Sequence, residues 1–582
     1  MLKFLNKKIT LVIIVSSIAA VFIVYLYFIS LANNDIKFRY PLNEAVFPSE
    51  FAPPSFKWID SEGDTSMMYC ITFKLKNSKK ISYSTEGFVW KPEIEAWDSI
   101  KSLSYNLPVQ VTVFRDKDQG RNILKQKAKI SIRISKYSVD APVLYRQIPL
   151  PFTFAEKNIE LTSYSLYNVG SENPVRDGLS NFRVCGNCHS ASLDGKSLAV
   201  DFDASTRDKG GFFIADIDTQ MYFNKDNYIS WTKLQGQSTF GLFSKISSDG
   251  RYVVTTLKDR VVSEKFDDYK DREYSQLFFP INGILAIYDR QTGILWELEG
   301  ANDINYVQTN AMWYPDDKYL VFARAKAVPF DGTGEWDSST LADEELIKEF
   351  LTGKRELKYD LYIIPFNDGR GGKAKPLEGA SNNGMSNYFP AVSPDGKWLV
   401  YCQSEKFMML QADSRLHIIP AKGGKSQKLK CNFKNMNSWH AWSPNSKWLV
   451  YSSKSMSIYT DMFLTHINEK GESSIPVLLE NSKTGLRAVN YPEFINRDPG
   501  LDMIMNYDYV NLLHIRDAIL TKDKDKAKKL LDVYLAQGQV FLPQEFQEIS
   551  YIYTNFGDFK NAEKYRKLVT EADSVLQNRV NQ

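Results

Sequence analysis

Cysteine and histidine are scarce in this chain, with five of each among 582 residues. Five cysteines are too few for a disulfide scaffold. Three of them, Cys70, Cys402 and Cys431, stand singly, so no second pair completes a zinc site. Net charge is also slight, +3 from 72 basic and 69 acidic residues. That near balance argues against nucleic acid as a partner. No G-x-S-x-G elbow is present, and no region outside the repeats described below is large enough for an α/β-hydrolase domain. No catalytic residue is assigned on these grounds. A haem-using enzyme would need an open iron site and a distal acid–base residue, which the sequence does not place.

What is present is concentrated. Residues 182–190 read FRVCGNCHS, placing the other two cysteines three apart with a histidine directly after. Cys-x-x-Cys-His is the attachment signature of a c-type haem. Cys185 and Cys188 would form the two thioethers, and His189 would give the iron its proximal nitrogen ligand. Three other readings of the motif stand beside this one. They are a redox pair, though no thioredoxin-like βαβ pattern surrounds it, a zinc half-site, and a short-loop disulfide with an incidental histidine.

The N-terminus bears on compartment. MLKFLNKK carries Lys3, Lys7 and Lys8 and no acid, and residues 9–30 follow without a charge. That length suits a bilayer-spanning helix, and the basic flank is expected to stay cytoplasmic. A cleaved signal ending near Ser30-Leu31-Ala32 is the alternative. Either way the bulk of the chain faces outward, and the expected address is a bacterial inner membrane with that bulk in the periplasm.

Five segments repeat one pattern: SLDGKSLAV from Ser192, SSDGRYVVT from Ser247, YPDDKYLVF from Tyr314, SPDGKWLVY from Ser393 and SPNSKWLVY from Ser443. Each is a tight turn feeding an apolar strand. A second strand-like run ending in a turn follows each, as in NGILAIYDRQTG and SRLHIIPAKGG. Turn, strand, strand and turn in repetition is the pattern of propeller blades. These blades resemble TolB-type, WD-like β-propeller repeats, whose hallmark is SPDGK before an apolar strand. RAVNYPEF at 487–494 resembles a further inner strand without the turn. The expectation is six blades over 143–500, closed by strands from 143–181, with a β-sandwich as the alternative. Insertions at 257–282 and 327–358 lengthen two spacings, and the second carries LADEELIKEFL, a helical pattern.

Before the repeats, residues 36–140 read as a β-sandwich of immunoglobulin or fibronectin type, with alternation in KAKISIRIS and core candidates Trp58 and Trp90. After them, residues 505–580 turn helical. LPQEFQEISYIYTNFGDFKNAEKYRKLVTEAD has a tetratricopeptide cadence, with a plain helical cap as the alternative.

The stretches PVLYRQIPLPF, VCGNCHSASLDGK, ASNNGMSNYFPAVSPDGKW and MNSWHAWSPNSKWLVYSSK together resemble one family. It comprises cell-envelope proteins of Bacteroidetes-like bacteria with a TolB-like propeller, a single CxxCH and C-terminal tetratricopeptide-like helices. Members are labelled as propeller, haem-binding or cytochrome-like proteins, and the resemblance gives no substrate. One departure is Ser446, where the turn usually has glycine.

The motif falls inside a repeat. His189 lies three residues before Ser192, and the matching positions are Ser244, Ala311, Pro390 and His440. Matching positions on inner strands lie on one ring about the channel, which makes His440 the first candidate for the distal iron ligand. Met385 is the alternative, Met312 and Met436 are weaker ones, and His440 as a strand-capping residue or a vacant sixth site also remain. The functional expectation is a membrane-anchored mono-haem c protein passing one electron to or from a partner protein. The alternative is a non-redox envelope scaffold that binds protein or glycan, partly through the C-terminal helices.

Overall fold

The computed structural model describes residues 36–75, 79–116, 127–172, 176–179, 186–205, 208–266, 276–329, 341–483, 485–536 and 543–580. The candidate anchor at 9–30 and Cys185 lie outside them. Among the described residues no helix is long and apolar enough to cross a membrane. The chain divides into two compact units. One runs to Ser138 and includes Ser474–Val477; the other is Val139–Ser473 with Leu478–Gln582.

Among the described residues, the first unit holds a three-stranded and a five-stranded sheet with the helix Ile94–Ser102. Strand Lys127–Ile134 alternates exposed and buried residues, so Ile130, Ile132 and Ile134 turn inward together. Trp58 and Trp97 are fully enclosed, and the Trp97 indole N–H donates to the Phe51 carbonyl at 2.8 Å. At the edge of the core, Arg115 pairs with the buried carboxylate of Asp60.

The second unit repeats one arrangement. Six inner strands, Gly186–Ala191, Leu242–Ile246, Tyr306–Trp313, Ser386–Val392, Asn437–Trp442 and Ala488–Phe494, each begin a run of four mostly antiparallel neighbours. The runs starting at Leu242 and Tyr306 are joined by a single pairing of Gly283 with Val307. The second strands are continuous apolar stretches such as WLVYSS, with all six residues buried, because neighbouring sheets cover both faces. Each buried Val or Leu there contributes about 1.5–3 kcal/mol. The last inner strand, Ala488–Phe494, pairs antiparallel with Val143–Ile148 from the start of the unit. Sequence-distant strands in one sheet close the array into a ring, and this unit is a β-propeller.

Residues 257–265 and 276–282 continue the second and third strands of their sheet as a long ribbon, Tyr252–Lys265 against Gln276–Asp289. Helix Glu344–Leu351 covers it, with Phe350 edge-on to Phe279 at 5.2 Å. Four helices end the chain: Asp508–Leu520, Lys524–Leu535, Pro543–Phe556 and Phe559–Val580. Their core includes Leu512, Ile515, Leu531, Ile549 and Ile552.

Candidate functional site

Each inner strand carries the same irregularity just before its turn. The register skips one residue between Leu242 and Lys245, Thr309 and Met312, Tyr388 and Ala391, Ser438 and Ala441, and Asn490 and Glu493. The extra residue makes a β-bulge. Phe243, Asn310, Phe389, Trp439 and Tyr491 hold φ between 47° and 56° within these bulges. Left-handed backbone at a non-glycine residue costs about 1–2 kcal/mol, which the surrounding packing offsets. In the motif strand the skip falls between Gly186 and His189, so Cys188 lies in the bulge and His189 pairs with Val200.

The turn ends of the inner strands ring a cavity of about 160 Å³. Every inner strand supplies the residue just before its turn: Ala191, Ile246, Trp313, Val392, Trp442 and Phe494. The Trp313 indole N–H donates to the Lys245 carbonyl, and that of Trp442 to Ala391, each at 3.0 Å. Both rings are thereby fixed against the preceding sheet. One side of the wall is charged. Lys245 donates to Glu493 Oε2 and to the His189 carbonyl, each at 3.1 Å, and lies over the Tyr491 ring at 5.0 Å. The opposite side, with Met312, Ala391 and Ala441, is apolar.

Behind this wall lie the motif residues. His189 is buried, with the rings of Tyr164 and Tyr491 edge-on at 5.9 and 5.3 Å. Neither imidazole nitrogen has a well-formed hydrogen bond, and the Leu144 backbone is the polar group that faces the ring. Burial, with the charges of Lys245 and Arg146, pushes its pKa down to about 3, although the Leu144 backbone opposes this, so the ring is neutral. Cys188 is a free thiol that keeps part of its surface open. Burial, helped by the Asp201 carboxyl, pushes the thiol up to about 12. Asp201 itself is buried, and desolvation raises its pKa well above the carboxylate range.

His440 occupies the matching position and is also buried, but its nitrogens are engaged. Nε2 lies 3.0 Å from the Val400 carbonyl and Nδ1 lies 3.8 Å from Cys402 Sγ. Burial pushes its pKa down to about 4. Both histidines face the second strand of the sheet before their own, His189 towards Leu144 and His440 towards Val400. The two rings are thus directed at different strands. Met385 is half-buried at the start of its inner strand, away from the turn, and its backbone N–H donates to Asn383. Met312 lines the cavity and Met436 is fully buried. Among the described residues, no three His, Cys, Asp or Glu side chains are grouped to hold a metal ion.

Lys245, Glu493, Asp201 and Arg146 were not singled out by motif. The signal was available in the repeats. Lys245 and Glu493 stand where other inner strands have Ser190, Met312, Ala391 and Ala441.

No protein-family model and no curated protein matches the chain. Solved structures do resemble it. TolB from Acinetobacter baumannii is 15% identical, over 67% of this chain and 79% of its own, with a TM-score of 0.37. The putative TolB from Agrobacterium tumefaciens is 12% identical, over 61% and 98%, at 0.32. The periplasmic gluconolactonase PpgL from Pseudomonas aeruginosa is 11% identical, over 57% and 81%, at 0.31. These scores are low, so the assignment rests on the strand order of this chain: a mainly β protein whose larger unit is a β-propeller.

Proposed function

We propose that the chain is an outward-facing envelope scaffold, built on a six-bladed TolB-like propeller, that binds a protein partner at the turn end of its channel. The observation that carries this reading is the cavity whose wall takes the residue before the turn from every inner strand. Its half-apolar, half-charged lining suits a mixed polypeptide surface, with aromatic anchors at Trp313 and Trp442. On this reading residues 9–30 hold the chain at the inner membrane. The β-sandwich, of immunoglobulin or fibronectin type, and the tetratricopeptide-like helices give further partner surface. A photo-crosslinking amino acid at Pro444, in the cavity wall, is expected to give a discrete adduct in the native cell. Trp442→Ala should remove that adduct, and the same label at Lys428 on an outer strand should not give it. Identical adducts from both positions would defeat the proposal.

A second reading is favoured by one observation, the buried imidazole of His189 with neither nitrogen in a well-formed hydrogen bond, beside a free thiol. An unsatisfied buried group of this kind costs about 1–3 kcal/mol, and the donor set fits a c-type haem. Cys185 and Cys188 would hold the haem through thioethers, and His189 would be its axial ligand. Bound haem supplies one-electron redox chemistry, for exchange with a partner protein. His440 as sixth ligand has to leave Val400; Met385 is the alternative. In a host with c-type maturation, the full-length denatured chain is expected to keep peroxidase stain on a gel, and the double change Cys185→Ala, Cys188→Ala to lose it. An unstained parent chain would end the haem reading.

A further inference from the structure

Strand Lys80–Glu86 is an edge of the five-stranded sheet in the first unit. Among the described residues its one ladder partner is Met68–Lys74, antiparallel and in unbroken register from Lys74 with Lys80 to Met68 with Glu86. The bonds at the two ends of that ladder fix which groups face outward. The Leu75 N–H donates to the Lys79 carbonyl at 2.8 Å, and the Gly87 N–H to the Met67 carbonyl at 3.0 Å. Bonded pairs alternate along an antiparallel ladder. Ile81, Tyr83 and Thr85 therefore bond inward, and the N–H and C=O groups of Lys80, Ser82, Ser84 and Glu86 point out from the sheet edge. Of these, the Glu86 carbonyl accepts from Thr85 Oγ1 at 3.4 Å.

A row of open N–H and C=O groups is a template for another strand, and such edges are usually guarded. KISYSTE has no proline, no glycine and no bulge, and its charges stand only at its ends. The side chains of Lys80, Ser82, Ser84 and Glu86 are exposed, whereas those of Ile81, Tyr83 and Thr85 are half-buried at the rim of the core. Tyr83 stacks on the half-buried ring of Trp90 at 4.8 Å. On the outer face Lys80 stands directly opposite Lys74, a like-charge pair that works against the ladder.

The strand is complementary to itself. Laid antiparallel on a second copy about Tyr83, it sets Lys80 against the partner's Glu86, Ser82 against the partner's Ser84 and Tyr83 against the partner's Tyr83. In this register Lys80, Ser82, Ser84 and Glu86 form the bonded pairs, so the open groups of both strands meet. A shift of one residue would oppose an open residue to a closed one. A shift of two would part Lys80 from the partner's Glu86. A parallel arrangement in register would oppose like charges at both ends.

We propose that two copies of this chain pair through Lys80–Glu86, as an antiparallel two-fold dimer centred on Tyr83. The two five-stranded sheets then become one continuous sheet. The partner's Tyr83 covers the half-buried stack of Tyr83 on Trp90, and the partner's Glu86 offsets the repulsion between Lys74 and Lys80. The pairing does not depend on whether the propeller cavity takes a partner.

The test uses the full-length chain purified in detergent, with light scattering to count the chains per particle. The parent is expected to be a dimer at micromolar concentration. Lys80→Glu or Glu86→Lys alone turns both end pairs into like-charge pairs and should weaken association about tenfold. The double change Lys80→Glu, Glu86→Lys should restore it, and so should mixing the two single variants, which separates loss of the interface from loss of folding. Register is read by cross-linking. A chain carrying Ser82→Cys, co-expressed with a differently tagged chain carrying Ser84→Cys, should give a mixed disulfide across a bonded pair whose Cα atoms lie about 5.5 Å apart. Ser82→Cys expressed alone should not, since its two copies lie diagonally, about 7–8 Å apart. A parent of one chain per particle, a dimer indifferent to the charge changes, or a double variant no tighter than the singles overturns the proposal. So does Ser82→Cys alone cross-linking as readily as the mixed pair.

Discussion

At the scale of single residues, identity in the repeat predicts position better than it predicts environment. His189 and His440 are the same residue at the same repeat position, yet one has both nitrogens engaged and the other has neither in a well-formed hydrogen bond. The neighbouring strands differ as well, with Cys402 against His440 and the charge of Arg146 acting on His189. The turns show the same principle. Gly195, Gly250 and Gly396 have φ of 71°, 74° and 68°, and Ser446 adopts 59° at the same point. The serine keeps a role there, since its Oγ accepts from the Asp395 N–H at 3.0 Å. A Cβ on Gly195 would lie 2.0 Å from the Asn496 carbonyl oxygen, whereas one on Gly396 meets nothing within 4 Å. Gly396→Ala is therefore expected to cost about 1–2 kcal/mol, the left-handed backbone alone. Gly195→Ala should cost a further ~1–3 kcal/mol as the turn is forced off Asn496. Urea denaturation of the two variants checks the order; equal losses would mean that the Asn496 contact gives way without cost.

At the scale of elements, the closing strand matters most. Ala488–Phe494 follows the last repeat but forms its sheet with strands from the start of the unit. Val489 is fully buried, its N–H donates to the Thr460 carbonyl at 3.0 Å, and its carbonyl accepts from Ser452 Oγ at 2.9 Å. Proline at 489 removes that donor and leaves the buried Thr460 carbonyl without it. Val489→Pro is expected to destabilise the propeller by about 1–3 kcal/mol, seen as a lowered thermal midpoint. An unchanged midpoint would show that the ring does not depend on this strand. The ribbon Tyr252–Lys265 with Gln276–Asp289 takes up a length of chain that, in sequence, looks like an insertion without chemistry. Its Phe279 stacks on Phe407 at 4.5 Å, and Phe350 caps both. Packing rather than catalysis explains those residues.

At the scale of the whole molecule, the cavity belongs to no single repeat. Each inner strand gives it one residue before the turn, and only ring closure gathers them. The lining is uneven because the repeats are uneven: Lys245 and Glu493 charge one side, and Trp313 and Trp442 stand elsewhere on the wall. The partner site proposed here is therefore a property of the assembled propeller. Changes at Trp442 should act on binding through this shared wall, which is why the crosslinking comparison uses an outer-strand control.

The sequence by itself determined a good deal. Turn chemistry such as SPDGK and the apolar runs after it mark the repeated strands, because tight turns and buried strands each demand particular residue types over a few positions. KAKISIRIS reads as a half-buried strand, and LADEELIKEFL reads as a helix, for the same local reason. CxxCH is legible because its chemistry requires three residues within five positions. Only the tertiary structure decided what surrounds them. The approach of Arg146 to the motif, the burial of Asp201 and the pairing of Lys245 with Glu493 across 248 residues join sequence-distant strands. So does the turning of His440 towards Val400. Burial, desolvation and hydrogen bonding at these residues are set by neighbours that no local pattern names, and the pairing of Lys245 with Glu493 exists only once Ala488–Phe494 closes the ring.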